Sequence, residues 1–395
     1  MTSLGRLRAA NRRTLTTALA EGPMSRADLA RATGLSRTTV SSLVGDLLEA
    51  GLVCETSDRG RPHKGGGGRP SVLLTLSAPS GHVAGVDIGH GHLRVAVADR
   101  TGTVVHEDVA VLDVDTRGTR VFAVAAGMLA EATTAAGAES VGAVGMCVPA
   151  PLDRTSTRVS NRIMPGWQGL DPGSQLERHL RGTHGITAPV LADNDANLGA
   201  LAELGHGAAR DLPPATTDMV YVKLASGLGA GIVLGGRLHR GSTGNAGEIG
   251  HVQVGEDGPV CRCGNRGCLE TLVAAPRLVD LLRPAYDADL DIAGVLALDA
   301  AGDAGVRRVL SDAGRVVGRA LADLATSLNP ALVVLGGSLG RASSIVEAVR
   351  GSIDRYAQPE VAAAVRVVPG ELGDRAEVMG AVGLALARVA QAPPG

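Results

Sequence analysis

Three cysteines fall within eight residues, at Cys261, Cys263 and Cys268, and His251 stands ten residues before the first of them. Whatever this chain folds into must bring those four side chains to one point if they act together. Three thiolates and one imidazole form a closed tetrahedral donor set of the kind that suits Zn²⁺. Gly264 and Gly267 let the intervening backbone turn tightly enough to make a knuckle. With four protein ligands the ion has no open position for a reactive water, so its role is structural. The other two cysteines, Cys54 and Cys147, lie far away in sequence, and nothing suggests a disulfide framework.

At 395 residues the chain is too long for one ordinary core, and two or three domains are expected. Hydrophobic residues make up 45%, enough for genuine cores, but the only large aromatics besides three tyrosines are Phe122 and Trp167. That scarcity argues against a stacking platform for single-stranded nucleic acid. No apolar run reaches the ~18 residues of a membrane span, and the N-terminus lacks a signal-peptide pattern. A soluble, cytoplasmic protein with no membrane partner is expected. The net charge of −2 hides an asymmetry: residues 1–80 carry eleven Arg/Lys against six Asp/Glu, so the remainder is acidic. A basic head on an acidic body points to nucleic acid.

The head reads as helices followed by two short strands. Ser25 is placed to cap a helix, with Asp28 completing a weak capping box. Thr33-Gly34-Leu35-Ser36 is a tight turn, and Ser36 caps a second helix whose apolar positions Val40, Leu43, Val44, Leu47 and Leu48 form one face. Gly51 is placed to stop it. Leu52–Glu55 and Ser71–Leu76 look like strands flanking a Gly- and Arg-rich arm, Ser57–Pro70. This is the plan of a winged helix-turn-helix bound to double-stranded DNA. The candidate contacts are Ser36, Arg37, Thr38, Thr39 and Ser42 on the second helix. Arg61 and Arg69, with Arg59 and Lys64, would follow the DNA backbone from the arm.

Past a linker at Ala78–Gly81 the pattern changes to β-branched runs alternating with Ala/Leu helices, an α/β organisation. Asp87-Ile88-Gly89 lies at a strand–turn–strand, where backbone amides could meet a phosphate and Asp87 a Mg²⁺ ion. Ser226, Gly227 and Gly229 form a second glycine turn, and Gly336-Gly337 a third. The Asp87 and Gly227 turns echo one another, which allows two similar halves. Between these turns lie Asp193-Asn194-Asp195, Glu248-Ile249-Gly250-His251 and the cysteine cluster ending in Glu270.

This order of motifs resembles the ROK family of sugar kinases, sugar-responsive repressors and related open reading frames. The resemblance runs from the winged helix to Gly380-Ala381-Val382-Gly383 and is most specific in Glu248-x-x-His251 and Cys-x-Cys-Gly-x-x-Gly-Cys-x-Glu. It implies two actin-like (ribonuclease H-like) domains around a cleft, in a homodimer or homotetramer. The expected division is a head at 1–77, a first actin-like domain at 82–192 completed by a C-terminal helix at 375–392, and a second at 193–374 carrying the knuckle at 251–270. The resemblance further implies that Asn194, Asp195, Glu248, His251 and Glu270 bind a sugar or sugar phosphate. Asp195 then occupies the position of a catalytic base, and His251 serves both sugar and zinc. Asn161 and Pro165-Gly166-Trp167 match a segment near the cleft, although Trp167 could equally be plain packing.

The departures from the family's kinase pattern matter. Kinases read Asp-x-Gly-Gly-Thr-Lys at the first turn, whereas this chain reads Asp87-Ile88-Gly89-His90-Gly91-His92. The missing hydroxyl and charge remove two aids to phosphoryl transfer. The expectation is therefore a repressor of carbohydrate-utilisation genes with no catalytic residue in use. The alternative is an ATP-dependent hexose kinase, with Mg-ATP as cofactor and a DNA-binding head.

Overall fold

A computed structural model describes residues 11, 14–16, 18–19, 22–49, 53–59, 72–76, 81–160, 163–164, 166–213 and 217–391. One compact unit lies within residues 1–80, and a larger one spans Gly81–Ala98 and Gly102–Gln391.

In the smaller unit, α1 (Arg26–Thr33) and α2 (Arg37–Glu49) precede an antiparallel pair, β1 (Val53–Arg59) and β2 (Val72–Leu76). Ser25 caps α1 as its sequence position requires. Its hydroxyl accepts from Asp28 N, and the Asp28 carboxylate accepts from Ser25 N in return, closing the capping box. Gly34 ends α1 in the left-handed conformation at φ 71°. Ser36 Oγ accepts from Thr39 N at 3.1 Å and opens α2. Val40, Leu43, Val44 and Leu47 are all buried, together with Leu15, Leu19, Leu29, Val53 and Leu74. At about 1.5–3 kcal/mol per buried Val or Leu side chain, this small cluster is the main force holding the head together.

The larger unit is built from two sheets of the same design. The first holds β3 (His82–Ile88), β4 (His92–Asp99), β5 (Val104–Val111), β6 (Val141–Val148) and β7 (Val190–Asn194), in the order β5-β4-β3-β6-β7. The second holds β8 (Met219–Leu224), β9 (Leu228–Leu234), β10 (Arg237–His239), β11 (Leu332–Gly336) and β12 (Arg366–Pro369), in the order β10-β9-β8-β11-β12. In each, the later strands run parallel to the first, β3–β6–β7 and β8–β11–β12. The β3–β4 and β8–β9 turns are therefore equivalent, which explains the echo between the Asp87 and Gly227 motifs.

Helices α3 (Val121–Ala135) and α4 (Pro172–His184) bury their apolar faces against the first sheet. Trp167 is fully buried there against Phe122, with ring centroids 4.8 Å apart, so it is a packing residue and not part of the cleft. Helix α5 (Asp195–His206) follows β7 and packs on the second sheet, where a Cβ on Gly231 would lie 2.4 Å from Ala196 O. Helices α6 (Ala275–Leu282), α7 (Ala304–Leu328) and α8 (Ser343–Tyr356) cover the other face of that sheet. The last helix, α9 (Ala376–Gln391), returns to the first sheet and lies so close that a Cβ on Gly145 would sit 1.9 Å from Ala381 O. It also meets α5, where a Cβ on Gly380 would sit 2.1 Å from Leu198 O. The N-termini of α5 and α9 thus place Asp195 and Glu377 beside the space between the lobes. Among the described residues no helix is long and apolar enough to cross a membrane.

Candidate functional site

A cavity of about 660 Å³ opens between the two lobes, and Asn194, Asp195, Glu248, His251 and Glu270 all line it. The fold explains their convergence. Asn194 ends β7 and caps α5 by accepting from Asn197 N at 3.2 Å, which fixes Asp195 as the first helical residue. Glu270 opens the segment after the knuckle, and its Oε2 accepts from Leu228 N at 2.9 Å, tying it to the β8–β9 turn. Burial pushes the Glu248 carboxyl up to about 7, with the charges of Asp195 and Glu270 adding to the effect.

One residue that sequence reading missed dominates the electrostatics. Lys223, near the end of β8, donates to Asp195 Oδ2 at 2.8 Å and lies 3.5 Å from Glu377 Oε1. Tyr221 OH also donates to Glu377 Oε1, at 3.1 Å. Burial alone would lower the Lys223 pKa, but Asp195, Glu377 and Asp87 hold it well above the ordinary lysine value. One signal was available: Lys223 and Lys64 are the only lysines in a chain that otherwise uses arginine.

The first phosphate-type turn is also occupied from within. Asp87 is fully buried, and its Oδ2 pairs with His92 Nε2 at 2.9 Å while Oδ1 has no partner. Burial works to raise the Asp87 pKa, but the His92 bond and the charges of Lys223, His92 and Arg94 outweigh it and hold the carboxyl below its usual range. The His92 ring lies directly over Gly89, 2.3 Å from where a Cβ would be, and Gly89 N donates to His92 O at 3.0 Å. At this turn, read from the sequence as a remnant of a phosphate loop, an imidazole fills the space beside Asp87. Gly89, Ser226, Gly227, Gly229 and Gly337 still line the cavity, whereas Asp87 and Gly336 stand behind its wall.

The four sequence-predicted metal ligands come together. Their donor atoms all lie within 4.8 Å of one another. A zinc tetrahedron with ordinary bond lengths needs S···S edges of about 3.8 Å and S···N edges of about 3.6 Å. Cys263 Sγ and Cys268 Sγ are 3.7 Å apart, and Cys261 Sγ and His251 Nδ1 are 3.5 Å apart. Burial and the neighbouring thiols push Cys268 up to about 12, a cost that a bound cation reverses. The donor set fits zinc.

In the head, Ser36, Arg37, Thr38 and Ser42 are exposed on the face of α2 opposite its buried stripe, and Thr39 is half-buried. Arg61, Arg69, Lys64, Asn161 and Pro165, along with most of the Ser57–Pro70 arm, lie outside the described residues, as does the Arg59 side chain.

The fold and cleft define a two-lobed actin-like α/β protein carrying a winged helix. The ROK family model matches residues 83–388, and a MarR-family winged-helix model matches residues 17–61. The chain belongs to the ROK family. It is 28% identical to the xylose repressor of Bacillus subtilis (strain 168) over 366 residues, 92% of this chain and 91% of that one. The crystal structure of a ROK family transcriptional regulator, a homologue of the Escherichia coli MLC protein, superposes with a TM-score of 0.77 at 25% identity and covers 96% of both chains. A ROK glucokinase from Streptomyces griseus, solved with glucose and AMPPNP, gives a TM-score of 0.66 at 25% identity over 77% of this chain and 99% of that one.

Proposed function

We propose that this chain is a sugar-responsive transcriptional repressor whose head binds operator DNA and whose cleft binds a sugar that changes that affinity. The head is residues 1–77, the first lobe 82–194 with 375–392, and the second lobe 195–374, the break falling two residues later than expected because β7 runs to Asn194 in the first sheet. The observation that carries the reading is a division within the cleft. The hydroxyl-binding set faces one cavity, while the two carboxylates that phosphoryl transfer would use, Asp195 and Asp87, are paired with Lys223 and His92. Asn194, Asp195, Glu248, His251 and Glu270 are the sugar's partners, and a pocket built to pair hydroxyls rejects analogues that lack them. Asp195, held by Lys223 at 2.8 Å, acts as a hydrogen-bond acceptor and not as a base. His92 over Gly89 excludes a phosphate from the backbone it would approach.

His251, Cys261, Cys263 and Cys268 would hold a structural Zn²⁺, which fixes the orientation of His251 and of the segment leading to Glu270. On DNA, Ser36, Arg37, Thr38, Thr39 and Ser42 read base edges, and Arg61 and Arg69 contact phosphates. The protein works in the cytoplasm as a homodimer or homotetramer on a roughly palindromic operator. Sugar and operator affinities are reciprocally coupled, typically by about 1–3 kcal/mol.

The test is operator binding measured with and without each member of a panel of aldoses, amino sugars and their phosphates, beside a thermal-shift screen of the same panel with Mg-ATP. One sugar that shifts both melting and operator affinity supports the reading. Operator affinity unchanged by every compound defeats it. The rival, an ATP-dependent hexose kinase, draws support from the glucokinase likeness and from Asp195 in the cleft. Mg-ATP turnover abolished by Asp195→Asn would establish that rival.

A further inference from the structure

His90 sits in the turn between β3 and β4 and lines the cavity, yet no sugar-binding pattern in the sequence includes it. Its Nδ1 is 2.7 Å from Asp115 Oδ1. Asp115 belongs to the short helix Val114–Arg117 of the first lobe, which is tied to the same turn because Val114 N donates to His90 O at 2.9 Å. The other Asp115 oxygen accepts from Arg262 Nη1 at 3.1 Å. Arg262 comes from the second lobe and stands between Cys261 and Cys263. Burial works to raise the Asp115 pKa, but His90 and Arg262 outweigh it and hold the carboxyl below its usual range.

The other end of the imidazole faces the second lobe. His90 Nε2 lies 4.0 Å from the point where a Cβ on Gly227 would sit, and Glu270 Oε2 lies 3.1 Å from that same point. His90 and Glu270 therefore flank one position from opposite lobes. A carboxylate can only accept, so the ring proton on Nδ1 goes to Asp115. Nε2 is then a lone pair in the neutral ring or a donor in the charged one, and a hydroxyl satisfies either.

We propose that His90 is a ligand-contacting residue for a sugar hydroxyl, and that Asp115 and Arg262 are positioning residues which make the metal knuckle a strut across the cleft. The inference rests on the sugar-sensor reading above. The backbone of Arg262 is pinned on both sides by metal ligands, so the knuckle's folding sets where Arg262 holds Asp115, and Asp115 sets the ring. Sugar affinity thus depends on the knuckle through a residue that touches neither sugar nor metal.

The experiment is calorimetric titration of the full-length chain with D-xylose, D-glucose and N-acetyl-D-glucosamine, with bound zinc measured on the same samples. The variants are His90→Ala, Arg262→Gln, Arg262→Lys and the double variant His90→Ala/Arg262→Gln. Arg262→Gln should weaken the sugar that binds by about tenfold with zinc content unchanged, and Arg262→Lys should recover part of the loss. His90→Ala should weaken it at least as much, and the double variant no further, because Arg262 acts through His90. Parental affinity in Arg262→Gln, or losses that add in the double variant, overturns the proposal while leaving the sensor reading intact. Failure of the parent chain to bind any of the three sugars, or any other member of the panel above, overturns both.

Discussion

Replacing Lys223 by Met tests the centre of the cleft. The ammonium is buried, bonds Asp195 at 2.8 Å and approaches Glu377 at 3.5 Å, so Lys223→Met removes one cation from between two carboxylates. Breaking a buried ion pair from one side costs about 3–5 kcal/mol, because the remaining charge is left without compensation. Here each acid keeps one donor, Ala196 N for Asp195 and Tyr221 OH for Glu377, which places the loss near the lower end, about 3 kcal/mol. At about 1.5 °C per kcal/mol for a unit of about 300 residues, the melting temperature should fall by about 5 °C in calorimetry at neutral pH. The pH dependence follows from the signs. Lys223's folded pKa lies above its unfolded value, so its contribution in the parent is full below the ordinary lysine pKa and fades only as pH rises through the folded one. Across pH 6–9 this contribution is therefore constant. In the variant Glu377, whose carboxyl burial already raises, loses the Lys223 charge that held it down and takes up a proton more readily in the folded state, so the deficit should shrink from pH 8 towards pH 5. Adding Glu377→Gln should recover part of the loss at pH 8. A variant that melts within 1–2 °C of the parent at every pH, against the several degrees that such a pair implies, would refute the buried pair as the cleft's organising charge.

Other perturbations separate packing, metal and DNA contacts. Gly145→Ala puts a methyl 1.9 Å from Ala381 O and should collapse soluble yield, whereas Gly127→Ala, in a helix with nothing within 4 Å, should stabilise by about 0.5–1 kcal/mol in thermal unfolding. Cys268→Ser removes a fully buried member of the donor set, so elemental analysis should find zinc lost and the melting temperature lowered, as should chelation of the parent. Ser36→Ala deletes the cap on α2 and should cost the head about 1 kcal/mol in thermal unfolding. Arg37→Ala should leave head stability unchanged and, in binding titrations, weaken operator more than random DNA.

What the sequence made legible was whatever its own neighbourhood decides. The capping box at Ser25, the α2 stripe from Val40 to Leu47 and the thiol knuckle each depend on residues close in the chain, and each appears as read. The duplicated sheet order was legible only as an echo between two glycine turns, because strand order is decided by pairing between segments far apart in sequence. Trp167 was ambiguous for a related reason. Nothing beside it in sequence distinguishes a cleft wall from a core, and only its packing on Phe122 does so.

The electrostatics of the cleft were illegible on the same ground. Lys223 meets Asp195 across 28 positions and Glu377 across 154, and Arg262 meets Asp115 across 147, so no local pattern announces these pairs. Yet their placement is systematic. The two lobes present equivalent hairpin turns, and a basic side chain adjoins each: His92 just after the β3–β4 turn and Lys223 just before the β8–β9 turn. Each is satisfied by an acid, Asp87 or Asp195, that a phosphoryl-transfer site would need free. The absent Thr and Lys of the first turn are thus more than deletions from a kinase pattern, because His92 converts the vacated space into internal packing. Asn194, Glu248 and Glu270 have no arginine or lysine partner among the described residues and remain turned to the cavity. In this cleft the remaining hydroxyl acceptors stay open while the two acids of its phosphate side are internally neutralised. This asymmetry, more than any single missing residue, sets the body apart from the family's kinase pattern.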